Sequence, residues 1–239
     1  MLLAVDVGNT ETVAGVFEGD ELALLFGGFL QQAGLSFDRN VTGVVLSSVV
    51  PSATQALRDM VSRYFRFDPV VVEPGVKTGV PVLTDNPKEV GADRIVNALA
   101  AFSKFGGPAI VVDFGTATTF DVVSENGELL GAAIAPGVQV AARALYEQAA
   151  RLPRVELAAP KSVVGRNTVE SVQSGLVFGY AAMVDGMVER ISKELGTPTV
   201  VATGGLAPTV IGECTTIDRH EPWLTLEGLR LVYEKNPAT

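Results

Sequence analysis

The chain is poor in the residues that most often carry covalent or metal chemistry. It has one cysteine, Cys214, and one histidine, His220, in 239 residues. A single cysteine excludes an intrachain disulfide, and the two together supply too few soft ligands for a structural zinc site. Any Cys–His or Ser–His–Asp mechanism would have to run through His220, which lies in a polar stretch without the motifs that accompany such nucleophiles. No apolar run approaches the roughly 18 residues that a membrane helix needs. The N-terminal apolar run meets Asp6 too early for a secretory signal, so a cytoplasmic location without a membrane partner is expected. Basic residues are also scarce: 18 Lys and Arg stand against 27 Asp and Glu, for a net charge of −9. With no cluster of Lys and Arg, electrostatics argue against a nucleic-acid partner. A protein this acidic that binds an anion must rely on backbone amides, hydroxyls and a metal ion.

The most informative feature present is a repeat. Asp6-Val7-Gly8-Asn9-Thr10-Glu11-Thr12-Val13 opens the chain, and Asp113-Phe114-Gly115-Thr116-Ala117-Thr118-Thr119-Phe120 opens its second half. Carried without gaps to Leu22 and Leu129, the two segments share the Asp, the Gly, the second Thr, a Val, two Glu and a Leu. Each reads as an apolar strand, an Asp-x-Gly turn and a second strand. Two such units predict two similar lobes, residues 1–106 and 107–239, with both turns looking into a central cleft.

The order of elements supports the duplication. Leu2–Asp6, Val13–Phe17 and Leu22–Phe26 read as a meander of three antiparallel strands. A short Gly-bounded segment follows, then the apolar run Val41–Val50, a helix over Ser52–Tyr64 and the strand Pro69–Glu73, which together imply a parallel crossover. Ser52 fits an N-cap, and Ala56, Leu57, Met60, Val61 and Tyr64 recur at helical spacing. A helical pattern spans Asn86–Lys104. The second half restarts with strands at Ala109–Asp113, Thr119–Val123 and Leu129–Ile134, then helices at Val138–Ala150, Thr168–Leu195 and Leu226–Glu234, with the strand Thr199–Ala202 before the last. A meander followed by alternating helices and strands, given twice, predicts an α/β class and a duplicated ribonuclease-H-like fold.

An Asp-x-Gly-x-Thr turn can close around phosphates: glycine lets the backbone approach, the hydroxyls of Thr10 and Thr116 donate, and successive amides point inward. The carboxylates of Asp6 and Asp113 beside an anion imply a bound cation, because like unit charges about 4 Å apart repel by roughly 4 kcal/mol at an effective dielectric near 20. Hard oxygen ligands from Asp and ATP suit magnesium or a monovalent ion. The turns thus predict a nucleotide together with a metal; the plainer alternative is that each merely closes a hairpin. Gly204-Gly205, at the end of Val201-Ala-Thr203, leaves an uncluttered surface for adenine and ribose, or a simple strand-to-helix turn. In Asn86-Pro-Lys-Glu-Val-Gly91-Ala92-Asp93-Arg94, Asp93 is the candidate base for an acceptor hydroxyl, and Arg94 could hold a carboxylate or the transferring phosphoryl group. An acid in the first helical turn also interacts favourably with the helix dipole, with no catalytic role needed.

These segments, together with Ser47-Ser-Val-Val-Pro51, Lys77-Thr-Gly79, Arg151-Leu-Pro-Arg154, Gly165-Arg-Asn-Thr168, Gln173-Ser-Gly175, Thr203–Ala207 and Leu224-Thr-Leu-Glu-Gly228, resemble the type III pantothenate kinases of the acetate and sugar kinase/actin superfamily. The resemblance covers nearly the whole chain. It implies ATP-dependent phosphorylation of pantothenate, the first step towards coenzyme A, with Mg2+ and a monovalent cation, potassium or ammonium. It implies that the Asp6–Thr10 turn and Thr116 contact ATP, with Asp6 also a magnesium ligand, and that Asp113 holds the monovalent ion. Asp93 would accept the proton, and Gly91, Ala92, Asp93 and Arg94 would line the pantothenate site. Thr168 would reach the substrate across a homodimer interface. Thr84 stands where the family commonly has a tyrosine that touches pantothenate, and the stretch between Phe26 and Val41 is shorter than in the family by roughly one helix. Those departures keep open a non-catalytic nucleotide-binding relative, or a kinase of the same scaffold acting on another small hydroxy compound. An actin-like filament protein is disfavoured by length. Arg151 and Arg154 read as an anion contact or as solvated loop residues, and Trp223, Phe178, Tyr180 and Met183 as core or interface packing.

Overall fold

The computed structural model describes residues 1–27, 41–149 and 151–236. The shortened stretch between Phe26 and Val41 therefore lies mostly outside the described residues. The chain forms two compact units, residues Met1–Ser103 with Leu224–Thr239, and Lys104–Trp223.

In the first unit, strands β1 (Leu2–Val7), β2 (Thr12–Glu18) and β3 (Glu21–Gly27) form the antiparallel meander. Strand β4 (Gly43–Ser48), helix α1 (Pro51–Phe65) and the short β5 (Val70–Val71) form the parallel crossover, giving the sheet order β3-β2-β1-β4-β5. Strand alternation sends Leu3, Val5, Val7, Val44 and Leu46 to one face, where Leu57, Met60 and Val61 of α1 cover them. Tyr64 is 72% exposed, so it takes no part in that stripe; Ala53 and Phe65 complete it instead. The N-cap of α1 is Val50 rather than Ser52. Pro51, with its φ already fixed and no N–H to satisfy, takes the first helical position and moves the cap two residues earlier.

The helical reading over Asn86–Lys104 resolves into a 3-10 turn at Pro87–Glu89 and helix α2 (Ala92–Phe105), interrupted at Gly91. The second unit follows with β6 (Ala109–Phe114), β7 (Ala117–Val123), β8 (Leu129–Pro136), α3 (Val138–Gln148), α4 (Thr168–Leu195), β9 (Thr199–Thr203), the short α5 (Ala207–Val210) and β10 (Arg219–His220). Its sheet order is β10-β9-β6-β7-β8. Ile110, Val112, Phe114 and Phe120 pack against Val138 and Ala142 of α3 and Val172, Leu176, Val184 and Val188 of α4. Each unit thus carries a three-stranded meander extended by parallel strands on the side of its first strand, the duplicated ribonuclease-H-like plan. Tyr180 joins the second core, while Trp223 is 37% exposed.

The last helix, α6 (Leu224–Lys235), belongs to the first unit, whereas the sequence division placed all of 107–239 together. It packs on β1, β2 and β4. Two glycines set its distance: a side chain at Gly43 would meet the Tyr233 ring, and one at Gly228 would overlap the Val96 carbonyl of α2. Thr225 Oγ1 donates to Asn97 Oδ1 at 2.8 Å, and Arg230 reaches Asp20 at 2.8 Å from the same helix. Gly228→Ala should therefore destabilise the protein by about 1–3 kcal/mol through overpacking, despite the roughly 1 kcal/mol that alanine gains in helix propensity. A urea midpoint equal to that of the unmodified chain would show that α2 and α6 can part at no cost.

Candidate active site

Both aspartates of the repeat sit near the end of the first strand of their sheet, followed by a glycine turn. Asp6 lies in register with Val13 across the hairpin and with Ser47 on the parallel strand β4. Asp113 lies in register with Thr119 across its hairpin and with Thr203 on β9. Those registers correct the gap-free alignment, because the second hairpin is one residue shorter and Thr12 corresponds to Thr118 rather than Thr119. Gly8 N donates to Glu11 O at 2.9 Å in the first turn; Gly115 N donates to Ala117 O at 3.0 Å in the second. The first turn is the wider one, and its Asn9 and Thr10 are exposed. Thr116 is exposed at the tip of the second.

Ser47 and Thr203 are functional candidates that sequence reading did not single out. Each is a hydroxyl at or next to the end of an apolar parallel strand, and each is buried. Aligning β4 with β9 as part of the repeat would have shown them together, Leu46-Ser47-Ser48 against Ala202-Thr203-Gly204.

In the first unit Asp93 lies near enough for its charge to act on the Asp6 carboxyl. Asp93 stands in the first turn of α2, and its Oδ1 accepts from Arg94 N at 2.9 Å. The same oxygen occupies space that a side chain at Gly91 would need, so glycine there is what lets the carboxylate sit over the backbone. Burial, then the charge of Asp93, push the Asp6 carboxyl from 3.8 up to about 7. Ser47 opposes part of that rise, although its Oγ has no partner in hydrogen-bond geometry among the described residues. A carboxyl that holds its proton to about pH 7 when folded, against 3.8 as the ordinary value, binds more protons folded than unfolded across that window. Its contribution to stability is therefore complete below the lower value and lost as pH rises through the upper one. With about 1.4 kcal/mol for each pH unit, Asp6→Asn should visibly flatten the fall in urea midpoint between pH 4 and pH 7; parallel pH profiles for the two proteins would refute the shift.

In the second unit Gly204 abuts Asp113. Its φ of +92° suits glycine, and a side chain there would overlap Asp113 Oδ1 and the Phe114 backbone. Leu206 N donates to Phe114 O at 3.1 Å, so the Gly204-Gly205 turn is stitched to the end of β6.

Thr168 is the first residue of α4, capped by Asn167, whose side chain accepts from Glu170 N at 2.9 Å. Exposed, it borders an apolar groove of about 510 Å3 that also includes Leu145, Leu152, Val172 and Leu176. A second concavity, about 620 Å3, lies by Ser48, Gln55 and Arg58 in the first unit. Neither is lined by the repeat aspartates. Thr84 is partly buried, with Oγ1 lacking a hydrogen-bond partner among the described residues. Arg151 and Arg154 are exposed.

Cysteine chemistry is excluded on physical grounds as well. Burial, then Asp185 and Glu213, push the Cys214 thiol up to about 12, far from a thiolate at neutral pH. Among the described residues no three His, Cys, Asp or Glu cluster as a metal site, and no helix is long and apolar enough to cross a membrane. A cation here would take most of its ligands from the bound phosphates, with a turn carboxylate beside them.

The family model for type III pantothenate kinase matches residues 2–190. A type III pantothenate kinase of Parafrankia sp. is 57% identical over 250 residues, covering 99% of this chain and 98% of its own. The one from Streptomyces griseus is 53% identical over 261 residues, with the same coverage of both chains. Among solved structures, component A of the (R)-2-hydroxyglutaryl-CoA dehydratase of Acidaminococcus fermentans superposes with a TM-score of 0.56 at 13% identity, covering 98% of both chains, which is a likeness of fold. The chain belongs to the type III pantothenate kinase family.

Proposed function

We propose that the protein catalyses ATP-dependent phosphorylation of pantothenate at its terminal hydroxyl, the reaction that opens coenzyme A synthesis. The observation that carries this reading is the match to the family along the chain, joined to Asp93 held over Gly91 beside Asp6. Asp93 takes the proton of the acceptor hydroxyl as that oxygen bonds to the γ-phosphorus of ATP. The bond from the γ-phosphorus to the bridging oxygen breaks, and ADP leaves with the electron pair. Gly91, Ala92 and Arg94 position the acceptor, and Thr84 contributes a short hydroxyl.

In the first unit, the turn of Val7, Gly8, Asn9 and Thr10 receives phosphate oxygens, with donors at Asn9 and Thr10 and close backbone approach at Gly8, whose N–H is taken by Glu11 O. Asp6 is the hard-oxygen ligand that, with the phosphate oxygens, would suit Mg2+. In the second unit, Thr116 donates to phosphate, Gly204 and Gly205 offer backbone to the adenosine, and Asp113 is the ligand for potassium or ammonium. Bound cations supply neutralisation of the charge on the phosphate oxygens. Thr168, exposed beside an apolar groove, supports a homodimer in which it completes the partner's pantothenate site. ATP as donor is consistent with a cytoplasmic reaction.

The deciding assay is ADP release from ATP with pantothenate, with and without potassium, alongside sizing of the same sample. Pantothenate-dependent turnover by a dimer is the expected result. Clean dimeric protein that binds ATP without transferring phosphate to pantothenate would end the reading.

A further inference from the structure

Ser47 is a hydroxyl in a strand, Gly43-Val-Val-Leu-Ser-Ser48, that otherwise reads as core. It is fully buried, and its Oγ has no partner in hydrogen-bond geometry among the described residues. Leaving a buried hydroxyl unpaired costs about 1–3 kcal/mol, which an alanine at the same place would avoid. Packing therefore does not account for serine here.

Register supplies the account. Ser47 and Asp6 are direct neighbours on parallel strands, so both side chains leave the sheet on the same face. Alternation puts Ala4 and Val45 on that face too, and Gly43, whose missing side chain would meet Tyr233, shows that α6 covers it. The second unit repeats the arrangement with Asp113 beside Thr203, which is 1% exposed. A buried hydroxyl next to the turn aspartate thus occurs at equivalent positions of both sheets. Fold alone calls for neither.

We propose that Ser47 is a positioning residue for the kinase reaction: its hydroxyl donates to the Asp6 carboxylate and fixes its orientation for the cation that accompanies the nucleotide. The proposal rests on the reading that Asp6 binds that cation. Partners of this kind, one bond removed from the metal, change metal affinity by about 10- to 100-fold when removed.

The test is calorimetric binding of a non-hydrolysable ATP analogue at graded Mg2+ concentrations, with thermal unfolding of the same proteins. Ser47→Ala should raise the Mg2+ needed for half-maximal binding by about 10- to 100-fold. In the nucleotide-free protein its thermal midpoint should be unchanged or higher, because the Ser47 hydroxyl has no hydrogen-bond partner there among the described residues. Ser47→Thr, which installs the side chain found at Thr203, should restore much of the Mg2+ dependence. Asp6→Asn is the control. If Asp6→Asn weakens Mg2+-dependent binding and Ser47→Ala does not, the role of Ser47 is overturned. If neither changes it, the reading of Asp6 as the cation ligand fails first. A Ser47→Ala defect that a folded Ser47→Thr leaves uncorrected assigns the effect to packing and also overturns the proposal.

Discussion

Asp93→Asn should lower kcat by about 10²- to 10⁴-fold, the range that general-base assistance contributes, while ATP binding survives. The substitution is nearly isosteric, and asparagine keeps an oxygen able to accept from Arg94 N, as Asp93 Oδ1 does at 2.9 Å. What it removes is the charge and the proton-accepting capacity. A purely structural Asp93 would show itself differently: loss of a favourable dipole contact in the first turn of α2 costs about 0.3–1 kcal/mol of stability and leaves turnover alone. Nucleotide binding should not weaken, since the charge of Asp93 is one of the causes that keep Asp6 protonated. Gly91→Ala tests the same carboxylate from outside. The new methyl would displace the flexible Asp93 side chain from its place over the backbone, so kcat should fall with little change in melting temperature. A steady-state rate for Asp93→Asn within tenfold of the unmodified enzyme would remove Asp93 from the role of base.

Most of what positions these groups is local and so was readable from sequence. Unbroken apolar runs make β1 and β6, and each ends in Asp-x-Gly, where the chain turns; helix α4 was readable from Thr168 to Leu195. What escaped depends on distant partners. Nothing within Leu224–Lys235 says which sheet it covers; that follows from Gly43 and Gly228, two positions without a side chain, against Tyr233 and Val96. The one-residue difference between the hairpins is set by cross-strand register, to which a gap-free repeat is blind. Ser47 and Thr203 look like small fillers of apolar strands until the parallel pairing puts them beside Asp6 and Asp113. Asp93 was legible as a candidate base from the Gly91-Ala92-Asp93-Arg94 segment and the family resemblance, although an acid in a first helical turn is a position dipoles favour anyway. Its proximity to Asp6 is a tertiary fact.

Gly204→Ala should combine a large loss of stability with weakened dependence on the monovalent cation. Two causes act at one atom. A φ of +92° is unfavourable for alanine, and the added Cβ would lie 2.7 Å from both the N and the C atoms of Phe114, which belong to a paired strand and cannot yield as a side-chain tip can. The same methyl overlaps Asp113 Oδ1. Hydrogen bonds from Leu206 N to Phe114 O and from Ala207 N to Gly204 O, both 3.1 Å, prevent the turn from simply lifting away. Relief therefore has to part the end of β9 from β6 at the very residue proposed to hold the ion. Backbone strain together with overlap places the expected destabilisation above about 2 kcal/mol. Gly196→Ala separates the two causes, because its φ is +98° but no atom lies within 4 Å of the added Cβ; it should cost only the strain, about 1–3 kcal/mol. At a temperature where Gly204→Ala remains folded, its potassium titration should shift to higher concentration with ATP and pantothenate held saturating, while Gly196→Ala titrates like the parent. Equal urea midpoints for the two variants, or a potassium dependence unchanged in Gly204→Ala, would show that the turn does not hold Asp113 in place.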